Sequence, residues 1–336
     1  MDGGGGCGLS PQSLFRLEAA KTPLDHAQER DRTLLAMGES ESVWSLFQFP
    51  ADGDPSTSSY LVERLAVIGV DPVALIRLFR DEPEGSRKRA LLIALGDFPV
   101  SAAWAGERDG LSKELLTLYR NHLDPGLHGV LDWLLRQRWE KAAEVAGIDA
   151  ELASVVRGRV AARVVFGAVP VPGVAGAMGV ACGPLLPAPG ASRDRDWYVN
   201  GQEQTYTVVR RPKEFTLGSP ATEPGRIPVN EPAHRKQIGR SFAIATKEVT
   251  VEQFLRFKPK HSLVKHYSPD RDSPAIDMTW YEAVGYCNWL SEKEGIPENQ
   301  WCYERNADGK YGEGMKIKRD HLKLTGYRLP TEAEWE

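Results

Sequence analysis

The sequence predicts an α+β protein: an α-helical region comes first, a Gly/Pro/Ala linker follows, and a mixed α/β region with much irregular structure closes the chain. Three observations carry this. Acidic-Pro pairs recur ahead of leucine-rich helical stripes between about 41 and 146, a charge-free stretch rich in Gly, Ala and Pro occupies 165–192, and short strand-like runs between Gly/Pro turns begin after Arg193. With 336 residues, 41% hydrophobic and 26% charged, the chain is in the globular range and long enough for two domains, each with its own core.

Residues 1–40 are polar and Gly-led, with at most a short helix from Pro11 to about Lys21, and are expected to be a poorly ordered lead-in. Residues 41–150 form the helical region. Helix starts are expected at Asp54-Pro55, Asp71-Pro72, Glu82-Pro83 and Asp124-Pro125, because proline suits the first helical position and the acidic residue before it can cap free amide groups. After the last of these, Leu127, Val130, Leu131, Leu134 and Leu135 share one face, with Asp132, Arg136 and Arg138 pointing elsewhere. The segments YLVERLAVIGVDPVALIRLF and SRKRALLIALGDFP resemble HEAT-like helical repeats, which implies an α-solenoid in which successive helix pairs bury their apolar stripes on each other. Residues 151–195 are the expected linker: the five prolines between 170 and 189 argue against a membrane-spanning helix there, and no membrane contact is expected.

From 196 to 336, FTLGS and SFAIATKEV read as strands. Three capping boxes are legible, Thr250 with Gln253, Thr279 with Glu282, and Thr331 with Glu334. The second opens a helix over about 280–294 that stops at Gly295 and Pro297 and buries Tyr281, Val284, Cys287 and Leu290. The third precedes only a single turn. One turn cannot sustain itself, so the region is expected to be truncated at its C-terminus, with Trp280, Tyr286, Trp289 and Trp335 short of part of their cover.

The net charge of −4 includes no basic face, so nucleic acid is not an expected partner. Cys7, Cys182, Cys287 and Cys302 form no CxxC pair or zinc-finger spacing, which points to a reducing compartment. MDGGGGCGLSPQ lacks the charged and apolar regions of a secretory signal, and the expected location is cytoplasmic.

In sequence and in order, EFTLGSP (214–220), EPAHRKQIGRSFAIATKEVTVEQFLRF (231–257), SPAIDMTWYEAVGYCNWLSEKEGIP (273–297) and GYRLPTEAEWE (326–336) resemble the formylglycine-generating enzyme (sulfatase-modifying factor) family. The resemblance implies a C-type-lectin-like mixed α/β fold. It also implies an oxidase whose intact members bind copper through a cysteine pair, use oxygen, and convert a cysteine of an unfolded sulfatase peptide into formylglycine. That pair lies after the RLPTEAEWE helix, and no residue here matches it, so no catalytic, cofactor-binding or metal residue is assigned and no cofactor is expected in this chain.

Other residues favour ordinary roles. Cys287 reads as a small buried hydrophobe and Cys302 as a loop residue. His261 and His266 are expected in solvated loops, since a spacing of five puts them on different helix faces. Gly309, Gly312 and Gly314 lack the ending of a phosphate-binding loop and suit a turn. Arg87, Lys88 and Arg89 suit an exposed helix side, and Glu332, Glu334 and Glu336 a helix start, where the dipole favours negative charge. Two functions follow: an inactive N-terminal portion of a formylglycine-generating oxidase, or a non-catalytic module, combining helical repeats with a lectin-like domain, that binds a protein or peptide partner. Similar bacterial chains join such repeats to a signalling kinase; this one has no HRD or DFG segment.

Overall fold

The computed structural model describes residues 56–166 and 195–335, apart from 68, 211–213, 220–224, 228, 230 and 263. The lead-in at 1–40, its short helix and the start at Asp54-Pro55 lie outside the described residues, as does 167–194. The chain divides into two compact units, one running to Asn121 with Gly126–Ala142, the other comprising His122–Pro125 and Ala143 onward.

The first unit is helical: α1 (Ser56–Arg64), α2 (Pro72–Asp81), α3 (Gly85–Asp97), α4 (Ala105–Asn121) and α5 (Pro125–Trp133). α2 begins as the sequence predicts, with Pro72 in its first turn and the Asp71 carboxylate accepting from the Val73 N–H at 2.9 Å. The Glu82-Pro83 start is shifted. Glu84 is the cap of α3, accepting from the N–H groups of Ser86 (2.9 Å) and Arg87 (2.7 Å), because Glu82 is occupied by the Glu84 N–H and the Arg87 guanidinium. Arg87 is therefore not simply exposed, and Lys88 lies over the Phe79 ring. Leu91, Leu92 and Leu95 of α3 are fully buried, and α1 and α2 both pack on this helix.

α5 passes into a π turn, Leu134–Arg138, closed by the Trp139 N–H donating to the Leu134 carbonyl at 2.9 Å. Leu127, Leu131, Leu134 and Leu135 are buried as expected, whereas Val130 is only half-buried. Asp132, expected to point away, is buried too: Arg136 (2.7 Å) and the Tyr119 hydroxyl donate to its carboxylate, so the charge enters with partners.

α6 (Ala142–Phe166) runs into the stretch expected to be linker. Residues 151–166 contain no proline, the next coming only at 170, so nothing breaks the helix before then. Ala153 of α6 packs in one cluster with Trp197 and Val199, so this helix belongs to the second unit. No helix among the described residues is long and apolar enough to cross a membrane.

The rest of the second unit mixes short strands and helices. β1 (Trp197–Val199), β2 (Thr205–Val209) and β5 (Phe242–Ala245) form an antiparallel sheet in the order β1-β2-β5, with Val199 opposite Thr205 and Tyr206 opposite Ala245. β3 (Phe215–Leu217) pairs with β4 (His234–Lys236), so FTLGS and SFAIATKEV both contribute strands, each shorter than the run that predicted it. α7 (Val251–Phe257) and α8 (Trp280–Lys293) follow, then β6 (Tyr303–Glu304) paired with β7 (Lys316–Ile317), and α9 (Glu332–Trp335).

The first two capping boxes form reciprocally. Thr250 Oγ1 accepts from the Gln253 N–H at 3.3 Å while Gln253 Oε1 accepts from the Thr250 N–H at 3.0 Å, and Thr279 and Glu282 do the same at 3.2 and 2.8 Å. α8 stops at Gly295, whose φ of +66° suits glycine, with the Ile296 N–H donating back to the Ser291 carbonyl. Val284, Cys287 and Leu290 are buried as predicted, but the stripe begins one turn into the helix. Tyr281 stays exposed, resting edge-on against Trp280.

Candidate functional site

Between β5 and α8 lies an apolar cleft of about 290 Å³. Its lining comes from Phe242–Ala245 of β5, from Ala283, Tyr286, Cys287 and Leu290 of α8, and from Arg328–Pro330 with Glu334. The cleft is placed by sequence that the capping boxes fix: Thr279 starts α8, and Thr331 starts the one-turn helix that carries Glu334.

The polar centre of this lining is an ion cluster. Arg328 and Glu334 make a two-pronged pair, Nη1 to Oε2 at 2.8 Å and Nη2 to Oε1 at 2.6 Å, with both side chains 1% exposed. Arg240 Nη2 donates to the same Oε1 at 2.6 Å, and the Thr331 N–H and hydroxyl to Oε2 at 2.9 and 3.1 Å. Burial pushes the Glu334 carboxyl up, but Arg328, Thr331 and Arg240 together outweigh it and hold it down at about 2. The third capping box is thus half of what the sequence predicts: the Glu334 side chain reaches back to Thr331, while its N–H bonds the Thr331 carbonyl instead of the hydroxyl. Trp335, expected to lack part of its cover, is 67% exposed, and Glu334 takes the inward position of this turn. Of the other aromatic groups expected to lack cover, Trp280 is 47% exposed, Trp289 is half-buried, and Tyr286 is buried.

Cys287, which lines the cleft, and Cys302 belong to the same core cluster. Burial, then the neighbouring Cys302, pushes the Cys287 thiol up to about 12; burial likewise raises Cys302 to about 11. The Cys302 thiol sits within donating distance of the carbonyls of His321 (3.5 Å) and Gly326 (3.4 Å). Cu(I) wants thiolates. Two buried thiols, one of them directed at backbone carbonyls, would have to give up their protons and their present contacts to hold that ion.

The remaining candidates are not drawn into the cleft. His261 is half-buried rather than solvated, with Nε2 against the Ile276 carbonyl at 2.9 Å and its ring edge-on to Phe254; His266 is exposed. Gly309 and Gly314 take positive φ in a turn organised by Asn306, whose Oδ1 accepts from the N–H groups of Asp308 and Lys310. A second, more polar cleft of about 340 Å³ lies beside Trp301, Arg305, Tyr311 and Lys318. Sequence reasoning missed a buried polar chain under the first cleft. Asn200 Nδ2 donates to Gln204 Oε1 at 3.0 Å and Gln204 Nε2 to the Tyr286 hydroxyl at 2.9 Å, joining the β1–β2 turn to α8. Only the polar residues interrupting the strand pattern at 200–204 hinted at it.

Residues 199–336 match the family described as the sulfatase-modifying factor enzyme 1-like domain. That stretch is of sulfatase-modifying-factor type. A curated relative, described as chaperone protein LppX of Paenibacillus barcinonensis, is 36% identical over 73 residues, 19% of this chain and 25% of that protein. The chain thus spans about a quarter of the length of this relative. No solved structure matches the chain.

Proposed function

We propose that residues 196–336 are the opening part of a sulfatase-modifying-factor domain with a C-type-lectin-like fold, from a protein whose intact relatives oxidise a sulfatase cysteine to formylglycine, and that this chain does not itself perform the oxidation. The family match over 199–336 carries the reading. The segments that resemble the family supply β3, β5, α7, α8 and the Arg328–Glu334 wall, and most of these meet in one core, as parts of one domain should. The cysteines support the inactive reading: Cys287 and Cys302 are buried core side chains, the second directed at backbone carbonyls, and burial disfavours both thiolates.

The test is an oxidation assay with the purified full chain, copper, oxygen, a reductant and a peptide carrying Cys-x-Pro-x-Arg. The expected product is unmodified peptide. Formylglycine formation above the protein-free control would overturn the reading.

A second reading, a non-catalytic module that binds a protein or peptide, is favoured by two observations. The chain carries a separate helical unit, which we read as HEAT-like pairs of the kind that present extended surfaces to partners, and one relative bears a chaperone's name. A place in a bacterial signalling protein and a cytoplasmic location would suit this reading. Fold analogy alone does not decide between the two, so the oxidation assay separates them.

A further inference from the structure

We draw no further inference here: the strongest candidate, the apolar cleft between β5 and α8, belongs to the site already described, and nothing in the structure shows what covers it.

Discussion

The helical unit buries Leu91, Leu92, Leu95, Leu111 and Leu115, aliphatic groups on helices that pack on one another, as α1 and α2 do on α3. The second unit buries Trp197, Tyr206, Phe254, Tyr286 and Tyr327 together with Asn200, Gln204, Asn288, Arg328 and Glu334, and joins them by bonds that span the sequence, such as Asn200 to Tyr327 and Arg240 to Glu334. The helical core is mainly aliphatic and holds its buried charges in local pairs, Glu82 with Arg87 and Asp132 with Arg136; the second core depends on polar partners drawn from distant parts of the sequence, which become costly if left alone. The two units should therefore fail in different ways.

The largest effect is expected at Arg328→Ala. It leaves the Glu334 carboxylate buried with Arg240 as its only remaining guanidinium, and breaking a buried pair from one side costs about 3–5 kcal/mol. Urea unfolding followed by tryptophan fluorescence should show the second unit melting early while far-ultraviolet circular dichroism keeps the helical unit's transition. Acid sharpens the same contrast. Glu334 and Glu282 both sit at about 2 in the fold, below the ordinary 4.5, the latter held down first by the Lys258 ammonium and then by the Thr279 amide. The stability they contribute is complete above the ordinary value and lost as pH falls toward 2, so the second unit of the wild-type chain should loosen over that window and the Arg328→Ala variant should show a shallower dependence.

In the helical unit, Gly96→Ala tests packing at a residue whose carbonyl accepts from Arg138 Nε at 2.6 Å, a bond the substitution keeps. An added Cβ would lie 2.3 and 2.5 Å from two ring atoms of Trp133, so the usual helix-propensity gain should be overturned by a loss of about 1–3 kcal/mol, read in the helical transition alone. Thr279→Ala removes the hydroxyl cap of α8 and should lower the second transition by about 0.5–2 kcal/mol. The smallest change is expected at Glu294→Gln. Burial raises that carboxyl while the Gly201 N–H bonds it at 2.8 Å, so its charge is a penalty above the folded value and none below the unfolded one. The amide keeps an acceptor for Gly201, and a pH series of melting temperatures should show a slight gain at neutral pH that vanishes in acid.

These contrasts explain what was legible. Acidic-Pro starts and leucine stripes act within one or two turns, so Asp71-Pro72 and the buried face of Leu127, Leu131 and Leu134 were readable, as were the reciprocal caps at Thr250 and Thr279. Errors arose where a partner outside the local window decided the outcome. Asp132 is buried because Tyr119 and Arg136 meet it, and the third capping box closes only in part while Arg328 and Arg240 hold the Glu334 carboxylate. The cleft could not be read at all, since its walls at 242–245 and 327–330 meet only in the fold. The stretch of sulfatase-modifying-factor type was legible from four ordered segments, none of which is specific by itself.

Cys287 and Cys302 pack the core of the second unit, and the proposal that neither serves as a metal ligand can be tested on the protein itself. Competition titration of the full chain with Cu(I), set beside a Cys287→Ala, Cys302→Ala double variant shown to keep the wild-type melting transition, tests it directly. The account predicts the same copper stoichiometry and affinity for both proteins. Loss of one tightly bound Cu(I) in the variant would contradict it.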